Sequence, residues 1–161
     1  MHYCKPGGSC SKGWGLSKGL EWAQSKGIAN RSCFPWSKRG KCDGGKCQKK
    51  GVTRISGYKA HRTSSERRAA IDKGPVLAGL DIYDDFFKYG GGVYRKIKNA
   101  RKIGFHAIVI VGYNDKKGYW IIKNSFGTDW GKKGLGKIAY GQKALRLDDT
   151  FPSYSIKKVI T

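Results

Sequence analysis

The chain has 161 residues, with 33 Lys and Arg against 11 Asp and Glu, a formal net charge of +22. An apolar share of 39% that includes five Trp, nine Tyr and six Phe is enough to bury a core, which excludes a wholly disordered polycation and bounds the chain to about one domain. The longest strongly apolar run, Ala107 to Val111, is far short of the roughly 20 residues a membrane-crossing helix requires, so no membrane span is expected.

In chain order, Met1 to Gly15 carries Cys, Gly, Ser and Lys where an export signal would need an apolar block, and no signal peptide is visible. Ser17 to Lys26 reads as a helix, with Ser17 as N-cap, Leu20, Trp22 and Ala23 as the apolar positions and Gly27 as the stop. Cys33 to Lys50 holds Pro35, three Gly and six Lys or Arg, a composition for a loop rather than a regular element. Thr63 to Lys73 reads as a second helix, capped by Ser64 or Ser65, with Glu66 in its first turn and Gly74-Pro75 ending it. Strands are expected at Pro75 to Ile82, Phe105 to Tyr113, Tyr119 to Lys123, Leu135 to Tyr140 and Tyr154 to Ile160. Helices first and strands later make an α+β layout, with no internal repeat and no linker that would divide independent domains.

All five cysteines, Cys4, Cys10, Cys33, Cys42 and Cys47, fall in the first third of the chain. That clustering suggests a disulfide-stapled lobe. The four-residue gap between Cys42 and Cys47 and the scattered His2, His61 and His106 argue against a metal site, and no cofactor is expected. An odd count leaves one thiol without a partner inside the chain. Disulfides imply an oxidising compartment, which conflicts with the missing export signal unless the N-terminus has been lost. The charge could serve nucleic acid through Lys49-Lys50, Arg67-Arg68 or Lys132-Lys133, but these are dispersed pairs. With 16 Lys and Arg in residues 1–72 and 17 in residues 73–161, a solvated basic surface is favoured over a specific nucleic-acid site.

His106 stands at the head of an apolar strand, a place where a lone histidine is more often structural than catalytic. Asn124 changes that balance. If the turn after Tyr113 centres near residue 115, His106 and Asn124 each lie nine residues from it and should be neighbours at the open end of a hairpin. The amide oxygen would then accept from one imidazole nitrogen, fix the tautomer and leave the other nitrogen free to move a proton.

These residues stand in His106-Ala107 and in Tyr119-Trp120-Ile121-Ile122-Lys123-Asn124-Ser125-Phe126-Gly127, and the chain there resembles the papain-like cysteine peptidases. Further similar segments run in family order over residues 4–140: Cys10-Ser11-Lys12-Gly13-Trp14, Cys33-Phe34-Pro35-Trp36, Gly74-Pro75-Val76, Gly92-Val93-Tyr94 and Thr128-Asp129-Trp130-Gly131. The resemblance implies one papain-like peptidase domain over residues 1–161. Residues 1–62 would be the remnant of a helical lobe with its Cys-rich loop, and residues 63–161 mainly a strand-rich barrel lobe. It implies peptide-bond hydrolysis through a thiolate, with His106 as acid/base and Asn124 as its orienter.

The nucleophile is missing. No Cys-Gly-Ser-Cys-Trp segment and no upstream oxyanion Gln occur in these residues. Cys10 precedes His106 by 96 residues and Cys4 by 102. Both are short of the family's roughly 130 to 150, and both match a structural pair better. The expectation is a chain that begins downstream of the nucleophilic helix and is inactive alone, with an exposed apolar groove that favours self-association. By the same resemblance, Cys4 pairs with Cys42 and Cys33 with Cys47, leaving Cys10 reduced, and the compartment is secreted or endolysosomal. Gly13 would pair with a peptide or protein substrate as an added strand, and Trp14, Gly79 and Phe105 would wall the pocket for the second residue before the cut, unless they are ordinary core. Phe126 stands where the family has Trp and would shield the His106 to Asn124 hydrogen bond from water. The alternative is a homologue that has lost catalysis and serves as a basic binding module for anionic partners.

Overall fold

A computed structural model of the chain describes residues 13–30, 32–33, 52–148 and 150–160. The expected loop at Cys33 to Lys50 lies, after Cys33, outside the described residues, as do Cys4, Cys10, Cys42, Cys47 and Lys49-Lys50. The chain divides into two units, Met1–Lys59 with Ile156–Thr161, and Ala60–Ser155.

In the first unit, α1 spans Leu16–Ser25 and buries Leu20 and Ala23, three positions apart on one face. It starts one residue before the expected cap: Gly15 is the N-cap, in extended conformation, and its carbonyl accepts from Gly19 N at 3.0 Å. Ser17 therefore sits within the first turn. The helix stops where Gly27 turns left-handed at φ +80° and, with Lys26, donates its N–H to the Trp22 carbonyl. Two short strands follow, β1 (Ile28–Ala29) and β2 (Val52–Ile55). They pair antiparallel, and β2 also pairs with the last strand of the chain, β9 (Val159–Ile160), to give a three-stranded sheet ordered β1-β2-β9.

Next in the chain, β3 (Tyr58–His61) leads into α2 (Ser64–Ile71). The cap is Thr63. Its hydroxyl accepts from Glu66 N at 3.1 Å and the Glu66 carboxylate accepts from Thr63 N at 3.2 Å, a reciprocal capping box. Starting at Ser64 or Ser65 would have put Arg67 or Arg68 at the third helical position, where neither can accept the backbone N–H. Asp72 and Gly74 close the helix by donating to Arg68 and Ala70, and Pro75 cannot continue it.

The barrel strands are β4 (Val76–Tyr83), β5 (Lys102–Asn114), β6 (Tyr119–Lys123) and β7 (Leu135–Ala139). With β3 and β8 (Ser153–Ile156) they form one sheet ordered β3-β8-β4-β5-β6-β7. Val76, Ala78, Leu80 and Ile82, every second residue of β4, are buried with Ile110, Trp120, Ile122 and Ile138 in one core. The strand expected over 154–160 is two strands, since Lys157 N bonds the Gly57 carbonyl and the chain changes sheets between β8 and β9.

A 3₁₀ turn at Asp84–Lys88 drops Phe86 into this core, fully buried, and the Trp130 indole N–H bonds the Phe86 carbonyl at 2.8 Å. Gly136 is required beside it, because a Cβ there would meet the Trp130 ring at 2.6 Å. Arg67, half of a pair considered for phosphate contact, is fully buried instead. Its guanidinium donates to Ser153 Oγ and to the Asp148 and Phe151 carbonyls, each at 3.1 Å, and lies over Trp120. Arg68 donates to Asp115 at 2.8 Å and lies over the Tyr113, Trp120 and Tyr140 rings. That pair ties the C-terminal loop and the hairpin turn to α2.

Candidate active site

His106 lies on β5 opposite Leu80 of β4, so its ring is on the core side of the sheet yet only half-buried. Asn124 follows the last residue of β6, and its backbone N–H bonds the Gly134 carbonyl at 2.9 Å, in the register that pairs Lys123 with Leu135. The hairpin register is not the symmetric one drawn from the sequence. A bulge between Ile110 and Gly112 shifts the pairing, so that Asn114 faces Tyr119 while Val109 faces Lys123. His106 is three residues beyond that last pair. Continued by one residue, this register sets Asn124 opposite Ile108, two residues from His106 on the same face, so the two side chains are diagonal neighbours across the ladder.

Asn124 Oδ1 is 2.8 Å from His106 Nε2 and 2.8 Å from the Ser125 backbone nitrogen. A backbone N–H can only donate, so the Asn124 atom that meets both is the oxygen. The imidazole nitrogen facing the same oxygen must also donate. His106 is thereby held as the Nε2–H tautomer, and its Nδ1 lone pair is left available as a base. Turning the amide over would put an NH2 against two donors. Asn124 itself is 8% exposed, and its buried Nδ2 has no hydrogen-bond partner among the described residues.

An aromatic cover surrounds the couple. The Phe126 ring lies 4.7 Å from the His106 ring at a 37° tilt, and on Phe87 at 5.1 Å and 7°, a parallel stack. Phe86 meets both His106 and Phe126 edge-on, and Trp130 meets Phe126 edge-on.

On the opposite face of β4 and β5, a Cβ on Gly79 would fall inside the Phe105 ring, so glycine is what allows that ring to lie over the strand. Phe105 is 47% exposed and packs edge-on against Phe151 at 4.9 Å. Beside it, Asp81 is buried and accepts from Lys102 at 2.7 Å and from Arg146 at 2.6 Å, while Arg146 lies 4.4 Å over the Phe151 ring. Burial pushes the Asp81 carboxyl up, but its two cationic donors outweigh that and hold it below the usual carboxylate range. Nothing in the sequence marked this cluster: its members are 21 and 65 residues from Asp81.

Gly13 and Trp14 belong to the first unit, where Gly13 is exposed and Trp14 packs edge-on against Trp22 at 5.7 Å. Cys33 is disulfide-bonded. The two cysteines weighed as nucleophiles, Cys4 and Cys10, lie outside the described residues, and so do Cys42 and Cys47.

A family model described as papain family cysteine protease matches residues 2–154. The chain belongs to the papain family of cysteine proteases. Among curated relatives of this papain-family chain, the cathepsin B-like CP1 of Giardia intestinalis is 36% identical over 102 residues, 57% of this chain and 34% of the relative. Peptidase 1 of Psoroptes ovis is 34% identical over 127 residues, 73% of this chain and 38% of the relative. The chain thus spans between about a third and two-fifths of the length of these relatives. Of solved structures, proCathepsin B S9 from Trypanosoma congolense superposes with a TM-score of 0.72 at 23% identity, over 87% of this chain and 51% of that one. Procathepsin L2 from the larval midgut of Tenebrio molitor gives 0.71 at 29% identity, over 92% and 48%. The α+β architecture of this protein is the papain-like fold.

Proposed function

We propose that His106 and Asn124 are the proton-handling half of a cysteine endopeptidase site whose nucleophilic thiol is not among these 161 residues. The observation that carries this reading is the single Asn124 oxygen shared by Ser125 N–H and His106 Nε2, which leaves Nδ1 as the basic nitrogen. In the proposed reaction Nδ1 takes the proton from a cysteine thiol, and the thiolate sulfur bonds to the peptide carbonyl carbon. The C–N bond breaks as the imidazolium returns that proton to the departing amine. Water then cleaves the thioester, with His106 again moving the proton. Asn124 holds the ring and favours the imidazolium while it lasts.

The substrate-holding roles that the resemblance gives to Gly13, Trp14, Gly79 and Phe105, and the shielding role of Phe126, belong to the same proposal. So do the division into a helical remnant over 1–62 and a barrel lobe over 63–161, the pairs Cys4 with Cys42 and Cys33 with Cys47, and a secreted or endolysosomal location. The disulfide at Cys33 supports an oxidising compartment. Self-association of the isolated chain belongs to the proposal as well.

The test mixes the chain with a synthetic peptide carrying the Cys-Gly-Ser-Cys-Trp segment and follows cleavage of a fluorogenic peptide. The chain alone should be inert, and the mixture active, with activity abolished by iodoacetamide and by His106→Ala. Alkylation-sensitive hydrolysis by the chain alone would overturn the missing nucleophile. A mixture in which His106→Ala keeps full activity would overturn the role of the imidazole.

A further inference from the structure

Between Tyr94 and β5 the chain makes a loop in which four of the seven residues from Arg95 to Arg101 are Lys or Arg. The loop is ordered from inside by the two carboxylates of the 3₁₀ turn. Asp85 accepts from Ile97 N at 2.9 Å and from the Tyr94 hydroxyl at 2.8 Å. Asp84 accepts from Arg101 N at 3.0 Å, and the Arg101 carbonyl accepts from Asp84 N at 3.0 Å. Lys96 turns inward as well: its ammonium donates to the Ile97 and Lys98 carbonyls and lies 4.8 Å over the Tyr83 ring. The acidic groups next to the loop are therefore engaged by backbone donors, and the side chains of Arg95, Lys98 and Arg101 are exposed, with no ion pair among the described residues.

At the centre of these cations stands Ile97, 64% exposed, more than any other large hydrophobic residue among those described. Its backbone N–H does the ordering, so the fold places no demand on its side chain. Val93 and Ile103, exposed at the two ends of the segment, add aliphatic surface. A polyanion such as nucleic acid or sulfated polysaccharide would use the cations and gain nothing from an aliphatic tip, since phosphates and sulfates are met by charge and nucleic-acid bases by aromatic stacking. A lipid surface uses both features. Aliphatic groups enter the boundary between headgroups and acyl chains, and flanking Lys and Arg meet the anionic headgroups.

We propose that the loop of residues 95–101 is a docking surface for anionic membranes, with Ile97 inserting and Arg95, Lys98 and Arg101 facing the headgroups. The proposal is independent of the peptidase reading. The test is co-sedimentation of the full chain with phosphatidylcholine vesicles that contain about 30% phosphatidylserine, against pure phosphatidylcholine vesicles and a heparin column. The chain should sediment with the anionic vesicles only, and less so as salt rises. Ile97→Asn should weaken vesicle binding about tenfold and leave heparin retention unchanged, whereas Lys98→Glu with Arg101→Glu should weaken both. All three positions are exposed, and an unchanged melting temperature checks that the variants are folded. Failure to sediment with anionic vesicles, equal binding to neutral ones, an Ile97→Asn variant that binds vesicles like the parent, or an Ile97→Asn variant that loses as much on heparin as on vesicles would each overturn the proposal.

Discussion

Replacing Asn124 with Ala removes one oxygen that satisfies two donors, the Ser125 backbone N–H and His106 Nε2–H, both at 2.8 Å. In the parent protein, moving the ring proton to Nδ1 would break the second bond and turn a lone pair toward the same oxygen. The cost of losing a part-buried hydrogen bond in this way is about 1–3 kcal/mol, which sets the ratio of Nε2–H to Nδ1–H tautomer between about 5:1 and 150:1. Nitrogen-15 spectra of the neutral imidazole read that ratio directly from the two nitrogen shifts. The parent should show a protonated-type Nε2 and a bare Nδ1, and Asn124→Ala should move the two shifts toward each other. The variant should also be less stable to urea, by about 1–3 kcal/mol, since the Ser125 N–H and the imidazole both lose a part-buried acceptor. A parent spectrum with the proton on Nδ1, or a tautomer ratio that does not respond to Asn124→Ala, would refute the assignment of Asn124 as the orienting group. The measurement needs no nucleophile, so it is independent of the reconstitution assay.

Two further outcomes follow from the packing. Because the folded carboxyl of Asp81 sits below its unfolded value, it stabilises the fold above the unfolded pKa of about 3.9, and that contribution is lost as pH falls through the lower folded value. Asp81→Asn should therefore lower stability at neutral pH by about 1 kcal/mol, given half-exposed cationic partners, and flatten the acid limb of the stability curve below about pH 4. An unchanged acid limb in urea titrations would count against it. Gly131 and Gly118 share a left-handed φ, +58° and +67°, but only at Gly131 would a Cβ run into the Leu135 carbonyl. Gly118→Ala should cost about 1 kcal/mol and Gly131→Ala at least about 2, and equal costs would show that the backbone at Gly131 yields.

The long barrel strands were legible because eight to thirteen residues of aliphatic and aromatic side chains leave no alternative to a buried strand, as in Val76–Tyr83 and Lys102–Asn114. His106 and Asn124 were legible because the residues around them carry the papain pattern. Ile28–Ala29 and Val52–Ile55 were not, since two to four residues are too few to show a period. The split at Lys157 was hidden for a similar reason: partner strands, not composition, decide which sheet a residue joins. Local chemistry alone thus determined which segments are helix or long strand, and which residue types could handle a proton. Tertiary structure decided the rest, because the positions concerned are linked through space and not along the chain. It placed a bulge between Ile110 and Gly112 that shifts the pairing by one residue and brings position 124 onto the face of β5 that carries His106, where one oxygen serves two donors. It also buried Arg67 and gathered Asp81, Lys102 and Arg146 from across 65 residues.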